Sequence, residues 1–201
     1  NKYIREAFMD IKHNYLKNPF NLKDCKFLGE GHNGAVYMLP NGKAIKVSYS
    51  DKDFIGEYKI LEKVNGNKYF PMICEVGVDY MIRECVQGEI LTKYIKTNGM
   101  DKILALKIID MLKEFHILKF RKIDIRCRDV FVQEDGNLKI IDPNNCFSKE
   151  RDFPRHLCKG LYKLGVLSYF LGILKEYDCK LYKKWGKRIN SYIRQIERQK
   201  E

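Results

Sequence analysis

The stretch from Asp124 to Asp142 constrains this chain most, because a hairpin pattern and three acidic residues fall within it. Two short runs of β-forming apolar residues flank the turn sequence at 135–137, which reads Asp-Gly-Asn. Turn dipeptides between two such runs predict an antiparallel hairpin. Asp124, Asp129 and Asp142 would then lie at its open end, where three carboxylates repel one another unless a divalent cation and a polyphosphate satisfy them. A surface hairpin with solvated acids is the structural alternative.

A glycine-rich pattern lies nearer the start of the chain, where Gly29, Gly31 and Gly34 have a GxGxxG spacing. Glycine lets the backbone approach a phosphate closely and direct N–H groups at it. The residues on both sides are strand-like, whereas the glycine loop of a dinucleotide-binding fold would open a helix. The strand predicted at 44–47 places Lys46 between apolar neighbours, and a lysine is a poor core residue unless it meets an anion. Together these features predict a phosphate-binding antiparallel sheet.

The two patterns resemble the protein-kinase-like superfamily, whose members combine a glycine-rich loop with a lysine in the third strand. The family then has a catalytic-loop aspartate, an asparagine five residues later and the aspartate of a D-F-G motif. Asp124, Asp129 and Asp142 stand at these three positions with the family's intervals. The chain is most similar to the compact, atypical bacterial or RIO-like Ser/Thr kinases.

The resemblance implies an α+β, two-lobed fold with a small antiparallel N-lobe sheet, one N-lobe helix and a reduced, mainly helical C-lobe. It places the N-lobe at about residues 1–83, the hinge at 84–90 and the C-lobe at 91–201. The apolar patterns predict four further helices, at 1–20, at 101–120, at 161–171 and from about Lys180 onward.

The resemblance also implies ATP, with Mg²⁺ or Mn²⁺, as cofactor, and a protein hydroxyl as acceptor. Asp124 would accept the proton of that hydroxyl, and Arg126 would offset charge on the transferred group. Asp129 and Asp142 would bind the metal. Lys46 would bind the phosphates and would pair with Glu57. Glu62 is the alternative partner for Lys46. The residues implied in nucleotide binding are Gly29, Gly31, Gly34, Val36, Ala44, Lys46, Glu57, Glu84 and Val86.

Several residues depart from the family pattern. Lys122-Ile123 replace the His-Arg that precede the catalytic aspartate, and an aspartate replaces the metal-binding asparagine. Pro143 follows Asp142, and no A-P-E motif occurs in the short segment before the next apolar run. Arg83 stands where the family has an apolar residue beside the adenine pocket, which could narrow that pocket. These departures leave three functions open: a Ser/Thr protein kinase, a pseudokinase that binds nucleotide without transfer, and a small-molecule kinase.

The amino-acid composition and the net charge narrow the classes of binding partner that we expect. The formal net charge of +12 suits acidic partners such as nucleotides, nucleic acids, anionic lipids or acidic protein segments. The basic C-terminal helix is a candidate for contact with an anionic surface, with a solvated outer face as the structural alternative. Seven cysteines without CxxC spacing favour reduced thiols. With no apolar run of transmembrane length, we expect a soluble, cytoplasmic protein.

Overall fold

The computed structural model describes residues 21–143 and 150–199. The helix predicted at 1–20 and Asn144 of the altered D-F-G motif therefore lie outside the described residues. The described chain is α+β, with two antiparallel sheets and six α-helices. It divides into two compact units. The sheet unit comprises the described residues up to Ile55 together with Ile73–Cys85, and the helical unit comprises Gly56–Met72 and the described residues from Val86 onward.

The sheet unit is built on a five-stranded antiparallel sheet with strand order β1-β2-β3-β5-β4. Its strands are β1 (Lys26–Gly31), β2 (Gly34–Met38), β3 (Ala44–Ser48), β4 (Ile73–Val76) and β5 (Tyr80–Arg83). This arrangement confirms the predicted small antiparallel sheet. A 3-10 turn at Leu22–Asp24 precedes β1, and its Leu22 joins the core.

Alternation along the strands divides the sheet unit into two faces. One face forms the core, which contains Leu22, Ala35, Tyr37, Leu39, Ile45, Val47, Tyr80 and Ile82. Since successive strand side chains point to opposite faces, Ala44, Lys46 and Arg83 share the other face. Lys46 and Arg83 are both buried there, at 9% and 5% exposure.

The helix α1 (Asp51–Lys63) begins in the sheet unit and ends in the helical unit. The helical unit also contains a small sheet with strand order β6-β7-β8. Its remaining elements are β6 (Glu89–Ile90), α2 (Leu91–Asn98), α3 (Lys102–Ile117), β7 (Val130–Val132), β8 (Leu138–Ile140), α4 (Arg155–Lys163), α5 (Leu167–Tyr177) and α6 (Cys179–Arg198).

The apolar helix predicted at 101–120 is present as α3. The Asp101 side chain caps its first turn by accepting from the backbone N–H of Leu104 at 2.7 Å. Seven residues of α3 are buried in the core. Near its end the ring of Phe115 lies 5.1 Å from that of Phe120 and 6.3 Å from that of Phe70. The helix ends three residues earlier than predicted, at Ile117.

The single helix predicted at 161–171 is wrong, because the chain forms two helices there, α4 and α5. The Val166 N–H donates to the Leu161 carbonyl, and the Gly165 N–H donates to the Tyr162 carbonyl, both at 3.0 Å. This pair of bonds is the Schellman ending of a helix, and Gly165 adopts the positive φ of 74° that it requires. The apolar periodicity continues through Gly165, so the pattern alone does not reveal the break.

Candidate active site

The predicted hairpin at the centre of the sequence pattern is present. The strands β7 and β8 pair antiparallel, with Val130 opposite Ile140 and Val132 opposite Leu138. At the turn, the Gly136 N–H donates to the Gln133 carbonyl at 2.8 Å. We call this element, with the preceding segment from Asp124 and the following residues to Asp142, the carboxylate hairpin.

Asp129 and Asp142 lie at the same end of the carboxylate hairpin. Asp129 immediately precedes β7, and its carbonyl accepts from the backbone N–H of Ile141 at 3.0 Å. Burial raises the pKa of Asp129 above its usual value, and the negative charge of Asp142 raises it further. Arg126 and Arg128 oppose this rise in the pKa. The fold therefore holds two carboxylates close enough to repel each other.

Two repelling carboxylates suit a divalent cation, because Mg²⁺ is commonly held by one or two carboxylates together with water and substrate phosphate oxygens. Arg128 lies beside Asp129, with its Nε 3.7 Å from the Asp129 Oδ1. Within residues 21–143 and 150–199, no group of three or more His, Cys, Asp or Glu side chains could hold a metal by itself.

Asp124, the predicted proton acceptor, has a side chain with no exposed surface. Its neighbours Ile123 and Ile125 are buried as well. Its Oδ1 accepts the backbone N–H of His156 at 2.7 Å. Its Oδ2 lies 2.6 Å from Nδ1 of His156 and 3.6 Å from Nε of Arg155, although neither nitrogen is directed at it as in a strong hydrogen bond. Both oxygens are therefore covered by the start of α4.

Arg155 and His156 are functional candidates that sequence reasoning missed. The residue before α4 is Pro154, which offers no side chain to cap the helix. Asp124 takes that capping role from about thirty residues away, and a carboxylate is favoured at a helix N-terminus. Burial lowers the pKa of His156, while the charge of Asp124 raises it and those of Arg155 and Arg126 lower it. The signal in the sequence that could have pointed to this contact is the pair of adjacent basic residues directly after Pro154.

Three of the predicted nucleotide-binding residues of the sheet unit, Val36, Ala44 and Lys46, share one face. Val36 pairs with Lys46, and Ala44 pairs with Arg83, across neighbouring strands. These residues therefore lie opposite the core face, with Lys46 next to the strand that carries Arg83. Glu57 of α1 is also buried, at 4% exposure, but it belongs to the helical unit. Its pairing with Lys46 stays a prediction.

Two further residues, Glu84 and Val86, were predicted to contact the adenine edge from the hinge. They lie in the segment between β5 and β6 and are partly buried. That segment has no regular secondary structure. Their role in base recognition stays a prediction.

The three glycines of the GxGxxG pattern are not equivalent. They lie in the β1–β2 hairpin, where Gly31 pairs with Gly34. A Cβ atom at Gly29 or Gly31 would meet no other atom within 4 Å, whereas one at Gly34 would lie 2.3 Å from the carbonyl oxygen of Val47. Gly34 is therefore required by the packing of β2 on β3. The shape of the fold leaves Gly29 and Gly31 free for a role in binding.

The kinase-like resemblance implies an aspartate at the start of the helix predicted at 161–171, and Gly160 stands at that position instead. A Cβ atom at Gly160 would lie 2.5 Å from the sulfur of Cys127, which is buried and donates to the Leu157 carbonyl at 3.5 Å. Burial raises the pKa of Cys127 to about 12, so this thiol is not a nucleophile at neutral pH. The departure at this position follows from close packing between α4 and the carboxylate hairpin.

Basic residues surround the carboxylate hairpin in the helical unit. Lys119, Arg121, Arg126 and Arg128 are exposed, and Lys122 is partly buried. Arg121 pairs with Glu150 at 3.6 Å. The charge of Arg126 acts on both Asp129 and His156. Arg126, the predicted charge-offsetting residue, therefore lies close enough to influence both groups.

The predicted C-terminal helix is present as α6. Its apolar stripe packs inward, with Trp185 and Ile189 fully buried and Ile193 and Ile196 nearly so. The Trp185 indole N–H donates to the Asp152 carbonyl at 2.9 Å. The outer face borders a shallow groove of about 440 Å³, which is lined by Lys187, Asn190, Ser191, Arg194, Gln195 and Arg198. This arrangement is that of a packed helix with a basic solvated face.

Two general expectations can be compared with the structure. None of the six cysteines in the described ranges forms a disulfide bond. Among the helices of the described chain, none combines the length and the apolar composition that crossing a bilayer requires.

The chain has distant relatives among proteins named as kinases. It is 23% identical over 126 residues to a Bacillus subtilis protein provisionally named serine/threonine-protein kinase YrzF, a match that covers 60% of this chain and 59% of that protein. It is 26% identical over 151 residues to the dual specificity protein kinase zakA of Dictyostelium discoideum, covering 64% of this chain and 19% of zakA. No family model matches the chain. The chain therefore spans less than two thirds of each of these relatives, and the similarity indicates a kinase-like relationship at low identity.

Proposed function

We propose that this protein is an ATP-dependent phosphotransferase with a two-lobed kinase-like fold, and that a protein Ser or Thr hydroxyl is its acceptor. The observation that carries the proposal is the pair of repelling carboxylates, Asp129 and Asp142, at one end of the carboxylate hairpin. The two like charges repel each other, and a bound cation with phosphate oxygens would turn that repulsion into attraction for the ligand. The similarity to proteins named as kinases supports the same activity.

The roles of the chain's residues follow from their chemistry. Lys46, a buried cation on the non-core face of the sheet, grips the α- and β-phosphates. Asp129 and Asp142 hold Mg²⁺, which when bound neutralises phosphate charge. Arg126 offsets charge on the transferred phosphoryl group, and Asp124 supplies the carboxylate on which proton transfer depends. Phosphoryl transfer needs mainly positioning and electrostatic stabilisation, and these groups provide both.

The basic surroundings of the hairpin favour an acidic protein segment as acceptor. Lys119, Arg121, Arg126 and Arg128 are exposed and carry the same charge. A cluster of exposed cations attracts an acidic partner and raises its rate of association. This positive charge would neither attract a small neutral metabolite nor raise its rate of association.

A second function, nucleotide binding without transfer, is favoured by the burial of Asp124. Its side chain has no exposed surface, and both its oxygens contact α4. A protein kinase-like module with an inaccessible carboxylate could act as a nucleotide-dependent scaffold. The two functions share nucleotide binding and differ in turnover.

The test is a pair of measurements on the wild-type chain. Mg-ATP at a hundred times its dissociation constant should stabilise the fold by about 2.7 kcal/mol, seen as a rise in melting temperature. Incubation with ATP and Mg²⁺ or Mn²⁺ should then give phosphoserine or phosphothreonine, on the chain itself or on generic protein substrates. Stabilisation without any transfer would select the scaffold function. No stabilisation with either metal would contradict both.

A further inference from the structure

His156 is the feature of the candidate site that the proposed roles do not use. Its imidazole contacts Asp124 through Nδ1 at 2.6 Å, and 34% of its side chain is exposed, whereas the Asp124 side chain has no exposed surface. We propose that His156 contacts the acceptor hydroxyl as the general base and that Asp124 is the positioning residue behind it. This inference rests on the proposed phosphotransfer and deepens it.

The geometry gives the two nitrogen atoms of the His156 ring different roles. Since Nδ1 faces the carboxylate of Asp124, a proton on Nδ1 leaves Nε2 with a free electron pair that can accept another proton. A small rotation of the ring would direct the Nδ1–H at Oδ2, and hydrogen bonds of this kind often tighten only when substrate binds. The backbone N–H of His156 already donates to Oδ1 at 2.7 Å, which holds the carboxylate beside the ring.

The proton and electron balance of the step is complete. The acceptor oxygen gives its proton to Nε2 as it forms a bond to the γ-phosphorus of ATP. The bond between that phosphorus and the β–γ bridging oxygen breaks, and ADP leaves with its electron pair. Asp124 stabilises the imidazolium, which then releases its proton to solvent. No oxidant, reductant or further reactant is required.

The charges around His156 suit this role at neutral pH. Burial lowers its pKa, and the charges of Arg155 on the same helix and Arg126 of the carboxylate hairpin lower it further. Asp124 opposes them and raises the pKa. A neutral imidazole can accept a proton, and the facing carboxylate favours the charged form that results.

A purely structural role makes a different demand on residue 156. The cap of α4 uses the backbone N–H of His156, and any residue except proline would supply it at that position. Capping of α4 therefore does not need the contact between the His156 side chain and Oδ2 of Asp124. Substitution of the side chain separates the two roles.

The experiment compares His156→Ala and His156→Gln with wild type and with His116→Ala, a control at the exposed end of α3 outside the site. We expect both His156 variants to bind Mg-ATP as wild type does, by melting temperature, and to lose about 10²–10⁴-fold in kcat. Added imidazole should restore part of the activity of His156→Ala. The kcat–pH profile of wild type and of the control should have an acid limb, and this limb should be absent in both His156 variants.

Two outcomes would overturn the inference and leave the proposed function in place. One is a wild-type kcat in the His156 variants. The other is a loss of activity that imidazole does not restore in His156→Ala, with the acid limb unchanged in His156→Gln. A wild-type chain that transfers no phosphoryl group would overturn the proposed transfer and this inference with it.

Discussion

The glycine hairpin formed by β1 and β2 and the carboxylate hairpin formed by β7 and β8 are both antiparallel, but they differ in what their key residues contribute. In the glycine hairpin, Gly29 and Gly31 face open space, and a side chain there would disturb nothing within 4 Å. In the carboxylate hairpin, Asp124 is fully buried and Asp129 is held near Asp142 against charge repulsion. The first hairpin leaves room for a ligand, whereas the second holds two like charges that a cation would attract.

This difference shows how strongly the glycine pattern and the carboxylate pattern each indicate a bound ligand. A glycine can serve a turn, close packing or a phosphate, and the fold already explains Gly34 by packing alone. Asp129 and Asp142 are partly buried carboxylates whose charges repel each other, and a bound cation relieves that repulsion, so this pair indicates a ligand more strongly. The carboxylate hairpin therefore carries the functional proposal, and the glycine hairpin supports it.

The largest effect is expected at the open end of the carboxylate hairpin. Asp142→Asn removes one of the two proposed metal ligands, and we expect metal-dependent affinity for ATP to fall by about tenfold or more, the size of effect that loss of a charged contact produces. Asp135→Asn is the matched control, because Asp135 lies at the turn end of the same hairpin and caps the Asn137 N–H at 2.8 Å. Titration calorimetry with Mg-ATP on both variants measures the difference. Equal affinities would remove the metal site from this hairpin.

The next effect separates the glycines of the other hairpin. Gly34→Ala would force a Cβ against the Val47 carbonyl oxygen, and we expect a loss of about 1–3 kcal/mol in the free energy of unfolding. Gly31→Ala has open space, so its stability should stay within about 0.5 kcal/mol of wild type, while its affinity for Mg-ATP falls. Urea denaturation and ATP binding distinguish the two. Unchanged ATP binding in Gly31→Ala would leave the glycine spacing with a structural role only.

The sequence predicts the local elements of this chain well. The Asp-Gly-Asn turn between two apolar runs predicts the carboxylate hairpin, since turn chemistry is local and this fold follows it. The alternation around Lys46 predicts the third strand of the sheet. The helix α6 begins at Cys179, one residue before the prediction.

The sequence fails where contacts join distant segments. The contact of Asp124 with Arg155 and His156 joins residues about thirty positions apart, and spacing within one motif contains no information about it. The break at Gly165 is local, yet the apolar periodicity hides it. A glycine that ends a helix and one that a helix tolerates look alike until the Schellman bonds are seen. Lys46 lies in the sheet unit and Glu57 in the helical unit, so the structure of either unit by itself does not test their pairing. The roles of both residues stay predictions.

The smallest effect is a dependence of stability on pH that has opposite signs at the two ends of the carboxylate hairpin. The pKa of Asp129 is raised above its usual value, first by burial and then by the charge of Asp142. Its charged form therefore costs stability, and wild type loses stability as the pH rises through the folded-state pKa of Asp129. The pKa of Asp135 is lowered, mainly because its carboxylate accepts the Asn137 backbone N–H. Its charged form adds stability, which is lost as the pH falls through its folded-state pKa.

Asp129→Asn should consequently be more stable than wild type at neutral pH, and this advantage should vanish in acid, where the wild-type carboxyl is protonated. Asp135→Asn should be slightly less stable than wild type at neutral pH and converge with it in acid. Urea midpoints measured from neutral pH into the acid range give both curves. Mg-ATP should then favour wild type over Asp129→Asn, because a cation turns the repulsion between Asp129 and Asp142 into attraction for the ligand. If the wild-type and Asp129→Asn curves run parallel, the two carboxylates do not repel each other, and the difference between the hairpins loses its physical basis.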